Sequence, residues 1–378
     1  MIFIHIILIL FLVVPAAYYF IFAVAGKFYR PKKRTGSAQS SFCILVPAYE
    51  SDAFILPTVN AALAQDYPRE KFRVVVISDR MAPQTDLILR DAGAEVLTVS
   101  FGNSTKAASL NAAAQYLGKD AADYAVILDS DNIIGPSFLK GMNEALSGRR
   151  IAVQGHRCAK NMDTPVAIAD GIFEQVNNLV FRAGHCALGL SSALIGSGMV
   201  FPYGWFFRNA PEFVTAGEDK EMELKLLKDG IFVEYVPGVR ILDEKTRSIR
   251  NLQKQRLRWL TSQYFLIGKA LKDFPKVRLK AGYADKLLQW TFIPRILLIT
   301  GLPLAALVAV IAGSSYMSLY ISGTILLYAG IMLGIPEEVT VKDLLSVLKE
   351  GPRMLAATVH NIFCKKMGKD RFIHTEHS

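Results

Sequence analysis

The first 26 residues, MIFIHIILILFLVVPAAYYFIFAVAG, contain no Asp, Glu, Lys or Arg. Few features restrict a fold so tightly. A helix of that length reaches about 39 Å, more than the ~30 Å hydrocarbon core of a bilayer, so the run suffices for a tilted transmembrane helix. A cleaved signal peptide carries its cations ahead of a shorter apolar core of roughly 7 to 15 residues. Here the cations follow the run, at Lys27, Arg30, Lys32, Lys33 and Arg34. That order predicts an uncleaved anchor over 1–26 with the following chain in the cytoplasm, in an integral protein of the plasma (inner) membrane.

Two more apolar runs, ILLITGLPLAALVAVIA at 296–312 and SYMSLYISGTILLYAGIMLGI at 315–335, are separated only by Gly313 and Ser314. They predict a transmembrane hairpin within 291–335, preceded by interfacial helices over 261–290. The cationic tail (Lys365, Lys366, Lys369, Arg371) places 336–378 in the cytoplasm or at the interface. Residues 344–363 mix apolar and basic side chains, are interrupted at Gly351-Pro352, and read as interfacial helical segments. Much of the net charge of +10 sits beside these apolar runs. Anionic lipid headgroups account for it better than nucleic acid, for which the middle of the chain has no module. Cys43, Cys158, Cys186 and Cys364 are far apart and form no CxxC pair, which fits a reduced cytoplasmic setting and indicates neither a zinc site nor a disulfide framework.

Between the apolar ends, over 41–260, short apolar strands alternate with helical stretches. FCILVPAY, FRVVVISD, AEVLTVS and DYAVILDSD read as strands, with helices over TVNAALAQ, QTDLILRDAG and KAASLNAAAQYLG. Such alternation predicts an α/β domain with a mostly parallel sheet covered on both faces. Ligands bind such sheets beyond the carboxyl ends of the strands. Polar residues gather there: Tyr49 and Glu50 after the first strand, Asp79 at the second, Asp129 and Asp131 at the fourth. If the extended geometry continues, Asp129 and Asp131 project to one side. Two close carboxylates either raise a pKa or hold a cation, and oxygen ligands select Mg2+ or Mn2+ together with substrate phosphates. A solvated acidic turn is the plainer alternative for DSD alone.

The ordered set Asp79, DSD at 129–131, GED at 217–219 and QRLRW at 255–259 resembles the family 2 glycosyltransferases. The similarity is to their membrane-embedded branch, which includes cellulose, chitin and hyaluronan synthases and ceramide glucosyltransferase, and it covers roughly 42–260. It implies a GT-A sheet flanked by transmembrane helices and an inverting, metal-dependent transfer of a hexosyl or N-acetylhexosaminyl group. The donor would be a nucleotide-diphosphate sugar, with UDP the expected nucleotide. Asp79 would contact the base, in a pocket lined by Pro47, Tyr49 and Glu50. Asp129 would hold the nucleotide end, Asp131 would ligate the metal, and Lys106 would lie near the phosphates or ribose. Asp219 would be the general base, with Glu218 the fallback. Gln255, Arg258 and Trp259 would form the floor, Arg258 toward the diphosphate and Trp259 against a sugar ring. IGSGMVFP at 195–202 would be an acceptor-side loop. The sequence departs from the family pattern with Glu50 where Asn is usual, a single Asp79 where DD is frequent, and Gly217 where Thr is usual.

A growing β-linked polysaccharide, exported with or without partner proteins, is the acceptor implied by QRLRW. A membrane lipid is the alternative, because three apolar segments are few to enclose a polymer channel. A non-catalytic nucleotide-sugar sensor would not need the base, and a nucleotidyltransferase would want a Gly-rich phosphate loop near its start.

Overall fold

The structure, a computed structural model, describes residues 2–31, 38–147, 151–215 and 217–363. The cations Lys32, Lys33 and Arg34 and the tail beyond Phe363 lie outside the described residues. A single sheet of eight strands holds the middle of the chain together: β1 (Phe42–Tyr49), β2 (Phe72–Asp79), β3 (Glu95–Val99), β4 (Tyr124–Ile127), β5 (Ile133–Ile134), β6 (Ala152–Ala159), β7 (Met199–Pro202) and β8 (Val233–Asp243), in the order β3-β2-β1-β4-β7-β6-β8-β5. β1 to β4 pair in parallel and β6 pairs in parallel with β8; β7 and β5 run against their neighbours. The expected mostly parallel sheet is therefore present, with antiparallel strands at β7 and β5.

The period-2 pattern of each strand splits the core into two layers. Ile44, Val46, Val74, Val76 and Val126 face α2 (Ile55–Leu63) and α5 (Phe138–Leu146). Leu45, Val75, Ile77, Ala125 and Ile127 face α4 (Lys106–Leu117), α7 (Tyr203–Asn209) and α8 (Glu218–Asp229). Each fully buried Val, Leu or Ile contributes about 1.5–3 kcal/mol, so both faces resist slippage. α3 (Pro83–Asp91) covers the β3 edge.

Helix starts follow local chemistry. Thr105 caps α4 by accepting from the Ala108 N–H at 3.1 Å, which sets Lys106 as the first helical residue. Thr164 does the same for α6 (Pro165–Asn177), at 3.2 Å from the Ala167 N–H, with Pro165 at the position that tolerates it. α6 runs on as a π-helical stretch over Asn178–Gly184.

The N-terminal run forms α1 (Ile2–Phe28), the one helix among the described residues long and apolar enough by itself to cross a membrane. α9 (Ile249–Asp273) is 25 residues long and carries QRLRW in its interior, so the chain has no break at 260. α10 (Lys280–Trp290) and α11 (Arg295–Ile311) are long and apolar enough to cross a membrane only when taken together, and they are bent by 68°; α12 (Met317–Met332) is 16 residues long. The two later apolar runs thus yield shorter helices than their sequences suggest, because residues 312–316 and 333–340 turn instead.

α1, α11 and α12 pack together through Leu12, Ala16, Leu298, Leu302, Tyr320 and Leu327. α1 also crosses the π-helical stretch at backbone contact: a Cβ on Gly184 would stand 2.2 Å from the Phe22 carbonyl oxygen, so only glycine permits the crossing. Beside it, Tyr18 donates to Asp285 at 2.7 Å and meets His185 at 2.8 Å, while Gln289 donates to Asp285 at 2.7 Å. This knot ties α1 to α10.

The C-terminal segment is one helix, α13 (Val341–Phe363), rather than segments interrupted at Gly351-Pro352. Thr340 and Asp343 exchange hydrogen bonds at its start in a capping box. Pro352 deprives the Leu348 carbonyl of its partner, and Leu348 is 70% exposed, so the helix continues through it. α13 rests on α9, with Asn361 donating to the Gln253 carbonyl at 2.9 Å.

Candidate active site

A cleft of about 620 Å³ opens at the carboxyl ends of β1, β2 and β4 and extends along α9 to α1, α11 and α13. Of the side chains singled out in the sequence, Pro47, Tyr49, Asp79, Lys106, Asp129, Asp131, Asp219, Gln255, Arg258 and Trp259 all line it. Glu50 does not: it is exposed, at φ 48°, and its N–H donates to the Asp79 carbonyl at 3.2 Å. Its position turns the chain out of the sheet, and its side chain meets the hydroxyl of Tyr49, which does line the cleft.

Tyr49 and Asp79 are in register as the last residues of β1 and β2. Asp79 is 1% exposed, and neither carboxylate oxygen has a hydrogen-bond partner among the described residues. A buried orphan carboxylate costs several kcal/mol unless something donates to it, and this one lines the cleft. Arg80, also at positive φ (57°), lies with its guanidinium carbon 5.6 Å from the Tyr49 ring. Strained non-glycine residues thus follow both strands at the rim.

The DSD segment differs from expectation. β4 stops at Ile127, because its partner β7 pairs only as far as Met199, and residues 128–132 form a turn. The turn is fixed from outside: Ser197 accepts from the Asp129 N–H at 3.0 Å, and Thr58 donates to the Ser130 carbonyl at 2.8 Å. Asp129 and Asp131 consequently face different partners instead of projecting together from a strand. Asp129 is paired with Lys106, which also donates to the Gly196 carbonyl at 2.7 Å and lies 3.4 Å from Glu218. Burial alone would lower the Lys106 pKa, but Asp129 and Glu218 outweigh it and hold the ammonium charged. Lys106 therefore joins the DSD turn to the GED helix. The 195–198 segment packs against it through the Gly196 carbonyl.

Asp131 accepts from Asn132 at 2.8 Å, and Asn132 also donates to Asp243 at 3.0 Å. Burial, then the charges of Asp243 and Asp129, push the Asp131 carboxyl up to about 7. Among the described residues no three His, Cys, Asp or Glu side chains are gathered to hold an ion. The donor set is two carboxylates, Asp131 and Asp129, the second of them already paired with Lys106. That suits a hard ion that completes its shell with phosphate oxygens and water.

The GED segment opens α8. Gly217 is where a Cβ would stand 2.8 Å from Ser262 Cβ of α9, so the departure from Thr lets the two helices touch. Glu221 accepts from the Val214 and Thr215 N–H groups at 2.9 and 3.0 Å, and Glu223 pairs with Lys286 at 2.6 Å. Glu218 is 6% exposed and tied to Lys106; burial pushes its carboxyl up to about 7. Asp219 is the partly exposed acid of the group. It accepts from the Lys220 N–H at 2.8 Å and faces the cleft. Lys220 in turn donates to the Trp259 carbonyl at 3.0 Å, locking α8 to QRLRW.

Sequence reasoning missed a buried ionic network under this floor. Arg157 of β6 pairs with Glu174 of α6 at 2.8 Å, Arg182 with Glu174 at 3.1 Å, and Lys245 with Asp243 at 2.8 Å and Glu174 at 3.5 Å. Burial would raise the Glu174 pKa, but Arg157, Lys245 and Arg182 hold it well below the usual carboxylate range. The available signal was two acids, Asp170 and Glu174, inside the apolar stretch PVAIADGIFEQVN.

A mixed sheet of this order, with two carboxylates past its fourth strand and an acidic helix start facing an Arg-Trp helix, defines a nucleotide-diphospho-sugar transferase fold. A family model described as "Glycosyltransferase like family 2" matches residues 39–262, and the chain belongs to that family. Among curated relatives, it is 27% identical over 292 residues to a UDP-forming cellulose synthase catalytic subunit of Pseudomonas fluorescens (strain SBW25), covering 70% of this chain and 37% of that protein. It is 26% identical over 243 residues to an N-acetylglucosaminyltransferase of Rhizobium meliloti (strain 1021), covering 58% and 55%. The chain thus spans little more than a third of the first relative and about half of the second. The mannosyltransferase PcManGT from Pyrobaculum calidifontis, solved with GDP-Man and Mn2+, shares the fold at a TM-score of 0.57 and 18% identity, over 93% of this chain and 96% of that one.

Proposed function

We propose that the protein is an inverting glycosyltransferase that moves a hexosyl or N-acetylhexosaminyl group from a UDP-linked donor to an acceptor hydroxyl delivered from a membrane. One observation carries this reading: Asp219 faces the same cleft as Asp79, Asp129, Asp131, Arg258 and Trp259, while Glu218 beside it is buried against Lys106. A pure sensor has no use for a second, accessible acid opposite the nucleotide end.

The nucleotide base would donate to the orphan oxygens of Asp79, with Tyr49 and Pro47 as walls. Mg2+ or Mn2+, held by Asp131 with Asp129, would supply positive charge to the donor diphosphate. Asp219 takes the acceptor O–H proton as that oxygen attacks the anomeric carbon from the face opposite the diphosphate. The bond from the anomeric carbon to the diphosphate breaks in the same displacement, so an α-linked donor gives a β-linked product. Arg258 compensates the charge left on the diphosphate, and Gln255 and Trp259 hold the acceptor sugar.

Membrane insertion is supported by the outer surface of the helical bundle. Phe3, Ile4, Leu304, Ile311, Ile325 and Met332 are all at least 60% exposed, an apolar surface too large to leave in water. The sheet domain would then lie on the cytoplasmic side of the plasma (inner) membrane. Cellulose synthase relatives favour a polysaccharide acceptor, with partner proteins completing an export path. A membrane-lipid acceptor is favoured by the cleft itself, which ends against α1 and α11 at Tyr19, Arg295 and Ile296.

Purified membranes incubated with a panel of UDP- and GDP-sugars, with mass analysis of aqueous and organic-extractable products, test the reading. UDP-sugar-dependent product, lost on chelation of divalent ions, is expected. An Asp219→Asn variant with wild-type turnover would overturn the mechanism.

A further inference from the structure

At the strand-end mouth of the cleft, one ammonium serves two acids. Lys106 is paired with Asp129, lies 3.4 Å from Glu218 and donates to the Gly196 carbonyl at 2.7 Å. Among the described residues neither acid forms an ion pair with any other cation. Lys106 is also the first residue of α4, where a positive charge meets the positive end of the helix dipole. Its ammonium is therefore held by the three oxygens around it and not by its own helix.

Those oxygens come from three separate segments, and the neutral one is fixed. Gly196 sits at φ 85°, and a Cβ there would stand 3.6 Å from Lys106 Nζ, so a left-handed turn open to glycine brings the carbonyl to the ammonium. An ammonium has three donors, so it can keep Gly196 while passing from Asp129 to Glu218. The move is short. At 3.4 Å the compensation of Glu218 is incomplete, and burial still pushes that carboxyl up. A divalent ion held by Asp131 with Asp129 would share Asp129 with Lys106. Two cations on one carboxylate repel each other strongly in a partly dry site, and Glu218 is the acid within reach of the one displaced.

We propose that Lys106 is a latch between the ion site and the base helix: it yields Asp129 to a divalent ion and moves onto Glu218, with the Gly196 carbonyl as its pivot. Glu218 precedes Asp219, so filling of the ion site is felt on the first turn of α8, where the base stands. The proposal rests on the metal-dependent transferase reading above and adds to it a positioning role for Lys106 and Glu218. A lysine that only bound phosphate would be indifferent to Glu218. One that only braced the fold would hold both acids whatever the ion site contained.

The experiment is Mn2+ binding to the full-length protein in detergent, read from the paramagnetic resonance signal of free Mn2+. Wild type, Lys106→Met, Glu218→Gln and the double variant are titrated without nucleotide, and wild type also with UDP or GDP. Lys106→Met is expected to bind Mn2+ about tenfold tighter, because the competing cation is gone. Glu218→Gln is expected to bind it about threefold or more weakly, because the displaced ammonium has no acid to receive it. In the double variant the effect of Glu218→Gln should vanish, the non-additivity expected of residues acting through one partner. Unchanged or weaker Mn2+ binding by Lys106→Met overturns the proposal. So does an additive double variant, which would reduce both effects to general charge. If Lys106→Met fails to fold, Glu218→Gln decides, and an unaltered Mn2+ affinity overturns the latch. If wild type takes up Mn2+ only with nucleotide, Lys106→Met should gain nucleotide-free binding, and its failure to do so overturns the latch alone. No Mn2+ binding by wild type with either nucleotide overturns the metal-dependent reading and the latch with it.

Discussion

The strand-end mouth of the cleft and the network under its floor are built from the same kinds of residue and held in opposite ways. At the strand ends, Asp79 is buried with no hydrogen-bond partner among the described residues, Asp131 is pushed up to about 7, and Glu50 and Arg80 sit in left-handed backbone. Under the floor, Glu174 answers Arg157, Arg182 and Lys245 at once. The mouth stores unmet demand; the floor is internally satisfied. The difference teaches where function and stability are kept apart: charge left over marks where a ligand is expected, and charge fully paired marks scaffold.

Variants can break that contrast. The largest effect is expected from Asp219→Asn, a fall in turnover of about 10²–10⁴-fold with donor affinity retained, read by nucleotide release and donor binding. Glu174→Gln comes next. It leaves buried cations facing one acid fewer and should cost about 3–5 kcal/mol of stability, read as a lowered thermal midpoint in detergent. Its wild-type contribution is present above the ordinary glutamate pKa and is lost as pH falls through the depressed folded value, so the gap between the two proteins should narrow in acid. Asp79→Asn should do the reverse of Glu174→Gln: a gain of ~1–3 kcal/mol in stability with donor binding weakened at least tenfold. A destabilised Asp79→Asn would show that Asp79 is scaffold after all.

The smallest effect is expected from Glu218→Gln. With its folded pKa raised to about 7, the wild-type carboxyl favours the folded state below the ordinary glutamate pKa and loses that advantage as pH rises through 7. The variant should lie closest to wild type near pH 4 and gain on it steadily toward pH 8, read from midpoints across pH. A constant difference across that range would sharpen the view that Lys106 keeps Glu218 ionised throughout.

What could be read from the chain follows the same division. β1 to β4 were legible because strands covered on both faces are unbroken apolar runs, and their ends announced Tyr49, Asp79, Asp129 and Asp131. β5, two residues long, gave no such run, and β8, interrupted by Pro237-Gly238, was not separable by periodicity from loop. GED and QRLRW were legible as motifs, but not the reason for Gly217, which is contact with Ser262 across two helices. Lys106 was legible as a cation at a helix start, yet its pairing with both Asp129 and Glu218 depends on the sheet bringing three distant segments together. The Arg157–Glu174–Lys245 network lies beyond any local pattern, since its members are single polar residues scattered through apolar elements. Glu50 sits at positive φ, a backbone feature that a side-chain motif does not encode.

The knot of Tyr18 with His185 and Asp285 has a consequence for biosynthesis. The first helix leaves the ribosome long before residue 285 exists, and at ~5–20 residues per second it waits on the order of 13 to 53 s for the partner that lies 267 positions downstream. On the proposed membrane reading, a tyrosine hydroxyl sits midway along an inserted segment throughout that interval, and the insertion machinery or a temporary companion helix would have to shelter it.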